Sequence, residues 1–197
     1  MSNEIKQFFD KYAETWDNSC KCDQKKIAAI VTLAGITSGS RIIDIACGTG
    51  VMFSEMLLRN PAMILGVDLS DKMIAKAHDK FADSRLHLLA SDLFDVHETE
   101  FDTAMIFSAY PHFPDKTRLA KHISKMLKVG GRFIVAHCEG RSAINHCHSG
   151  KMVSQISWPL RSAKEEAAEF SDFFNIDMIV DTSEIYFFSG TKKAITE

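Results

Sequence analysis

Ile42-Ile43-Asp44-Ile45-Ala46-Cys47-Gly48-Thr49-Gly50 is the stretch on which the fold turns. Arg41 to Ala46 is a short β-branched run and reads as a strand. It carries Asp44 near its end and passes into a turn, Cys47 to Gly50. Gly48 and Gly50 let the backbone approach a ligand closely. Phe53, Met56 and Leu57 then mark a helix, stopped before Pro61. A helix that opens after such a turn offers unpaired N–H groups at its N-terminus. Strand, glycine-rich turn and helix in this order open a nucleotide-binding βαβ unit.

Reading outward, the same alternation continues. Met63 to Val67 is a second strand, and Asp68 closes it eighteen residues after Gly50. In nucleotide-binding α/β domains an acid there accepts hydrogen bonds from ribose hydroxyls. Ser70 caps a helix with Met73, Ile74, Ala77 and Phe81 inward. Leu86 to Ala90 and Thr103 to Phe107 are the third and fourth strands. Lys116 to Leu127 is helical, and Gly130-Gly131 is expected to break it before a fifth strand, Arg132 to His137. Residues 138 to 159 show no clean period and read as a loop or a short irregular helix. Ser162 to Glu165 is a capping box. Two last strands fall near 176–180 and 185–189, too close for a parallel crossover, so they form an antiparallel hairpin. Upstream, Ile5, Phe8, Phe9, Tyr12 and Trp16 share one helical face, and Ile27, Ile30, Val31 and Ala34 another, ended by Gly35. Alternating strands and helices predict an α/β fold with helices on both faces of a seven-stranded, mostly parallel sheet whose last strand is antiparallel.

The bulk properties are those of an ordinary globular protein, with 46% hydrophobic and 25% charged residues over 197 positions. The formal charge of −3 offers no basic excess for a nucleic acid, so none is expected as partner. The N-terminal MSNEIKQFFDKYAETWD lacks a basic stretch followed by an apolar run, so no secretory signal is read, and no apolar window is long enough for a membrane span. Five irregularly spaced cysteines fit reduced thiols, Cys20 and Cys22 included, and a cytoplasmic setting.

The third glycine of the dinucleotide motif G-x-G-x-x-G is Phe53 here, which disfavours NAD or FAD. The D-x-A-C-G-T-G turn instead resembles that of the class I S-adenosylmethionine-dependent methyltransferases. The resemblance runs on in order through Val67-Asp68-Leu69-Ser70, Ala90-Ser91-Asp92-Leu93, Phe101-Asp102 and Leu127-Lys128-Val129-Gly130-Gly131-Arg132-Phe133, with Val129 where proline is usual. It implies a Rossmann-like three-layer sandwich and S-adenosylmethionine as cofactor. It also implies one methyltransferase domain over 1–197, with N-terminal helices to residue 40, a cofactor-binding half at 41–137 and a substrate-side half at 138–197. By the same resemblance Asp44 lies near the methionine moiety, and Ala46, Gly48 and Gly50 pack against the cofactor. Asp68 binds the ribose, Asp92 and Leu93 frame the adenine, and Leu69 and Met73 flank its ring. Phe107 closes the fourth strand beside the site, and Tyr12 and Trp16 fold over the cofactor. For Tyr12 and Trp16 the spacing is equally that of an amphipathic helix packed on a core.

The acceptor side is less specific. Phe107-Ser108-Ala109-Tyr110-Pro111-His112-Phe113 follows the fourth strand and lacks the [DN]-P-P-[YF] of nucleobase or glutamine amino-group methylases. Tyr110 and His112 are candidates for substrate contact. After the fifth strand come His137, Cys138, Glu139, Arg141, Asn145, His146, Cys147 and His148. Their spacing matches no structural zinc pattern, so no metal is expected. Were one to bind, His137, His146, Cys147 and His148 would be its ligands. His137, His112 or His148 is the expected base where the acceptor must lose a proton. Short insertions and the lack of a docking domain point to a small-molecule acceptor. The alternative function is a non-catalytic protein that holds S-adenosylmethionine, or a metal at the His/Cys loop. Oligomeric state is open.

Overall fold

The computed structural model describes residues 3–19, 22–150 and 153–194, in two compact units that divide after His97. The sequence-based division lies later, at residues 137 and 138.

In the first unit, α1 (Asn3–Tyr12) and α2 (Trp16–Ser19) precede α3 (Gln24–Leu33), β1 (Arg41–Ile45), α4 (Phe53–Leu57), β2 (Met63–Asp68), α5 (Asp71–Lys80) and β3 (Leu86–Ala90). β2 lies between β1 and β3, and both pairings are parallel. The register sets Asp44 opposite Gly66 and Asp68 opposite Ala90. β1 and β2 are apolar nearly throughout because both are buried, whereas β3 is half-exposed. Ser70 caps α5 by accepting a hydrogen bond from Met73 N–H, and Met73, Ile74 and Ala77 face inward, as the spacing predicts.

Phe53, at the position of the missing third glycine, has its own explanation. It is fully buried, and a Cβ on Gly50 would lie 2.3 Å from its ring and one on Gly66 2.6 Å from it. Glycines on the turn and on β2 therefore make room for an aromatic ring where a dinucleotide fold packs helix directly against strand.

The N-terminal segment departs from expectation. The single helical face from Ile5 to Trp16 is interrupted by a 3₁₀ turn, Ala13–Thr15, between α1 and α2. Only Ile5 of α1 is buried. Phe8, Phe9, Tyr12 and Trp16 are half-buried and contact one another, with ring centroids 4.8 to 5.4 Å apart. Ion pairs tie the segment to α5: Lys6–Asp71 at 2.7 Å, Glu14–Lys76 at 2.6 Å and Asp17–Lys80 at 2.8 Å. Exposed pairs of this kind are weak, up to about 1 kcal/mol each.

In the second unit, β4 (Phe101–Phe107), α6 (Lys116–Met126), β5 (Leu127–His137), α7 (Arg141–Cys147), α8 (Ala163–Ala168), β6 (Phe174–Asp181) and β7 (Tyr186–Lys192) follow. The strand order is β4-β5-β7-β6. β4 and β5 are parallel, and β7 is antiparallel to both of its neighbours, β5 and β6. The final hairpin is thus as expected, within a seven-stranded mixed sheet. Phe133, Phe170, Phe174 and Phe188 form the core, with Phe133 stacked on Phe170 at 4.5 Å.

Gly130-Gly131 has a different role from the one its composition suggests. α6 already ends at Met126, and β5 starts at Leu127. Gly130 has φ +74°, and the β4–β5 register slips between Phe101 and Thr103. A Cβ on Gly131 would sit 2.9 Å from the Lys128 carbonyl and 3.1 Å from that of Phe101. The two glycines form an irregularity inside the strand, where backbones come too close for a side chain.

The capping box of α8 is present as read: Glu165 N–H donates to Ser162 Oγ at 3.3 Å, and Ser162 N–H to Glu165 Oε2 at 3.0 Å. Ser162→Ala should therefore lower stability by about 1 kcal/mol, read as a shift of the urea midpoint with an unchanged slope. Among the described residues no helix is long and apolar enough to cross a membrane. Cys47 and Cys147 take part in no disulfide among the described residues, and Cys20 lies outside them.

Candidate functional site

Two constellations stand out, one in each unit. The first surrounds the turn after β1. Ala46, Gly48 and Gly50 have φ of +55°, +56° and +86°. Three left-handed residues in five, one of them an alanine, form a backbone that pure turn chemistry does not require. Asp44, on the strand leading into this turn, is 1% exposed, and its Oδ2 has no hydrogen-bond partner among the described residues. Burial, with Asp68 adding to it, pushes its carboxyl up to about 8. An orphaned buried acid beside a strained glycine-rich backbone is the mark of a site that a polar ligand completes.

Asp68 closes β2 and grips the turn. Its Oδ2 accepts from Gly48 N–H and its Oδ1 from Ser70 N–H, both at 2.8 Å. Burial raises its carboxyl to about 6 although the N–H groups of Ser70, Gly48 and Leu69 pull the other way. Ser70 Oγ in turn donates to Asp10 of α1. Asp92 caps the 3₁₀ turn Leu93–Asp95 by accepting from Phe94 N–H at 3.0 Å. Leu69 is half-buried and has surface to offer a ring, whereas Met73, 1% exposed, is packed inside the unit. Leu93 is buried likewise. Trp16 Nε1 lies 3.9 Å from where a Cβ on Gly48 would be. The structure thus brings Trp16 and Asp10 to the turn, which helix periodicity alone could not decide. Thr49 Oγ1, donating to Asp17, adds a further tie that the sequence does not show.

The second constellation lies in the other unit. Phe107 ends β4 in a buried position, and the exposed Ser108 follows with φ +53°. Tyr110 is not a surface contact: it is fully buried, and its hydroxyl donates to Glu166 Oε2 at 2.9 Å. Lys116 Nζ donates to the Tyr110 carbonyl at 2.6 Å and lies 3.6 Å from the centre of its ring; burial lowers this amine to about 8. His112, His137 and His148, from three separate stretches, interact as a cluster. The His112 and His148 rings are 5.3 Å apart, and both act electrostatically on His137. His146 and Cys147 are exposed on α7, away from any common centre. Among the described residues no group of three or more His, Cys, Asp or Glu could hold a metal ion, so the ligand set drawn from the sequence does not assemble. A cleft of about 510 Å³ lined by Lys116, Trp158, Arg161, Glu166 and Glu169 lies in the same unit. Its charges are largely neutralised internally, since Arg161 pairs with Glu166 at 3.1 Å and Glu169 at 2.7 Å.

The methyltransferase domain family matches residues 43–135 of the chain. The chain is 25% identical over 153 residues to the 27-O-demethylrifamycin SV methyltransferase of Amycolatopsis mediterranei, covering 66% of this chain and 56% of that one. It is 26% identical over 138 residues to the ubiquinone biosynthesis O-methyltransferase of Coxiella burnetii, covering 66% and 58%. The chain thus spans a little over half the length of these two relatives. In fold it is similar to the N-methyltransferase NodS of Bradyrhizobium japonicum, solved with S-adenosylhomocysteine, at a TM-score of 0.74 and 11% identity, covering 96% of this chain and 99% of that one. That likeness concerns the Rossmann-like architecture. With the order of strands, the strained turn after β1 and the acids at Asp44 and Asp68, the matches are consistent: residues 43–135 are a methyltransferase domain, and the chain is similar in sequence and fold to methyltransferases.

Proposed function

We propose that the chain catalyses methyl transfer from S-adenosylmethionine to a small-molecule acceptor. The observation that carries this reading is the orphaned, buried carboxylate of Asp44 beside the left-handed backbone of Ala46, Gly48 and Gly50. Those four residues would hold the methionine end of the cofactor. Asp68 would take the ribose, and Leu69, Asp92 and Leu93 the adenine, with Met73 behind them as packing. Tyr12 and Trp16 would cover the site. When bound, the cofactor supplies a methyl group already activated on a sulfonium sulfur.

The chain's own residues then have mainly to position two reactants, since proximity and alignment can account for most of the acceleration in such a displacement. His112 and His137 are held neutral by burial, at about 4 and about 3. Bases that weak accept a hydrogen bond and receive a proton late, rather than stripping it in advance. The names of the two relatives, one acting on 27-O-demethylrifamycin SV and one an O-methyltransferase, support a small acceptor. The net charge of −3 supports the absence of a nucleic-acid partner, and the odd number and irregular spacing of the cysteines support a cytoplasmic setting.

Calorimetric titration with S-adenosylmethionine, S-adenosylhomocysteine and NADH tests the reading: the two sulfur ligands bind and NADH stays silent. If neither sulfur ligand binds, the methyltransferase reading falls. His137→Gln should lower turnover about tenfold, the loss of one hydrogen bond in the transition state, and leave the affinity for S-adenosylhomocysteine unchanged. Equal turnover in the variant removes His137 from the acceptor site.

A further inference from the structure

Lys116 stands where an ammonium is poorly placed. It opens α6, at the positive end of the helix, directly after the cap Asp115. The side chain is half-buried, and burial lowers its amine to about 8, with Glu166 and Glu169 opposing that shift and Arg161 adding to it. Its Nζ meets the Tyr110 carbonyl at 2.6 Å and the Tyr110 ring, 3.6 Å from the centre, and neither partner is charged. An unprotonated amine has two hydrogens and a lone pair. One N–H serves the Tyr110 carbonyl, and the lone pair is left for an electrophile. The cleft of about 510 Å³ that Lys116 lines is pre-formed. Its wall at 158–161 is pinned: Trp158 N–H donates to the Pro111 carbonyl at 2.9 Å, Asn145 holds both the N–H and the carbonyl of Leu160, and the Arg161 guanidinium is fixed on Glu166. Trp158, 43% exposed, gives the cleft an aromatic surface, and Pro114 and Pro159 extend it. The charged lining is three carboxylates, Asp115, Glu166 and Glu169, against two cations, Lys116 and Arg161, so the cleft is acidic by one charge.

We infer that Lys116 is a covalent binding site for a neutral aromatic aldehyde, held in this cleft as an imine. The site belongs to the second unit alone, and its chemistry does not depend on methyl transfer. The Nζ lone pair forms a bond to the aldehyde carbon, and the carbonyl π pair moves to oxygen. That oxygen then leaves as water while the nitrogen closes the C=N bond. Of the three ammonium hydrogens, two depart in the water and one stays on the iminium nitrogen, so no oxidant or reductant is needed. Charge decides the class of electrophile. The iminium keeps an N–H for the Tyr110 carbonyl and keeps a positive charge beside the Tyr110 ring and within the field of Glu166. Acylation would leave an uncharged amide there, and carbon dioxide an anionic carbamate in a cleft that is already acidic. The same acidity disfavours an anionic substituent on the aldehyde. The exposed indole of Trp158 supplies the surface on which an aromatic ring stacks.

The test uses the full chain with 2-naphthaldehyde as probe and cyanoborohydride to reduce the imine to a stable secondary amine. Peptide mass spectrometry after brief exposure at pH 7.5 reads the label on each lysine. Lys116 should be labelled at least tenfold faster than the exposed Lys25 and Lys164. Equal labelling of the three overturns the inference. 4-Formylbenzoate and acetyl phosphate are run alongside, and with each of them the preference for Lys116 over Lys164 should be at least threefold smaller. A preference as large with the anionic aldehyde, or with acetyl phosphate, which would make Lys116 an acylation site, overturns the inference. In a Trp158→Ala chain the preference for naphthaldehyde falls at least threefold; an unchanged preference places the reaction outside the cleft and overturns the inference as well. Without reductant, the imine absorbance of the unmodified chain is lost in Lys116→Gln, and its persistence assigns the imine to another lysine. Both variants are compared at an unchanged melting temperature. Where either does not fold, the three probes on the unmodified chain decide alone.

Discussion

Asp68→Ala lowers the affinity for S-adenosylhomocysteine about 100-fold while the chain still folds. An ionised carboxylate has about four acceptor directions. Gly48 N–H and Ser70 N–H occupy two of them, one on each oxygen. The remaining two suit the neighbouring hydroxyls of a ribose. Hydrogen bonds to a charged acceptor contribute about 1.5–3 kcal/mol each, so losing the pair costs about 3 kcal/mol, or two powers of ten in affinity. The alanine also releases the N–H of Gly48, which loosens the turn itself. Calorimetry on both proteins measures the effect, with the melting temperature of each unliganded chain as the control for folding. A loss smaller than threefold takes the ribose away from Asp68. The ionised form is the one that accepts two hydroxyls, and burial has raised the group to about 6. Affinity in the unmodified chain should therefore decline as pH falls through about 6, and Asp68→Ala should flatten that decline.

The second expected result runs in the opposite direction for stability. Asp44→Asn raises the melting temperature of the unliganded chain at pH 8 by about 5–10 °C and weakens cofactor binding. The carboxyl of Asp44 is at about 8 in the folded chain, against an ordinary 3.8. The folded state thus binds this proton more tightly than the unfolded state does. The stability linked to it is fully present below the ordinary value and is lost as pH rises toward about 8. A shift of that size corresponds to at most about 6 kcal/mol. Relaxation and water entry around a buried charge reduce such figures, and about 2–3 kcal/mol remains as the working expectation, or about 5–10 °C for a chain of this length. Asparagine is uncharged at every pH, so it escapes the loss. Scanning calorimetry at pH 5 and pH 8 checks the sign: the gap between the two proteins should widen at the higher pH. Equal melting temperatures at both values would mean that Asp44 ionises without penalty. A residue that destabilises its own fold and is nevertheless set in the binding turn is being used for a ligand.

Much of this was legible in the sequence because it is local. The strand–turn–helix around Asp44, Gly48 and Gly50, the Ser70 cap, the bounds of β3 and the Ser162–Glu165 capping box each depend on residues within one turn or strand of one another. The final antiparallel hairpin followed from chain length alone, since a few residues cannot make a parallel crossover. Gly130-Gly131 misled for the same local reason. Two glycines read as a helix stop, whereas Gly131 is hemmed in by the Lys128 carbonyl of its own strand and by the Phe101 carbonyl of another, which no local pattern shows.

The cofactor half of the site was legible as a set of positions, but the surroundings of each were not. That Asp44 is orphaned, that Met73 is packed inside and Leu69 is not, and that Trp16 sits by Gly48 are results of packing. The acceptor half shows the limit more sharply. A stretch crowded with His and Cys suggested ligands at His146 and Cys147, yet both are exposed, and the ring that joins His137 and His148 is His112 from the segment after β4. Its partner is a backbone carbonyl, that of Ile156, which no side-chain pattern can announce.

The sequence by itself determined the order of strands and helices, the glycine turn and the acids that follow it, because periodicity, caps and turn chemistry act over a few residues. Only the tertiary structure decided which groups are buried without partners and which distant side chains meet, because desolvation and hydrogen bonding are settled by whatever the folded chain brings alongside.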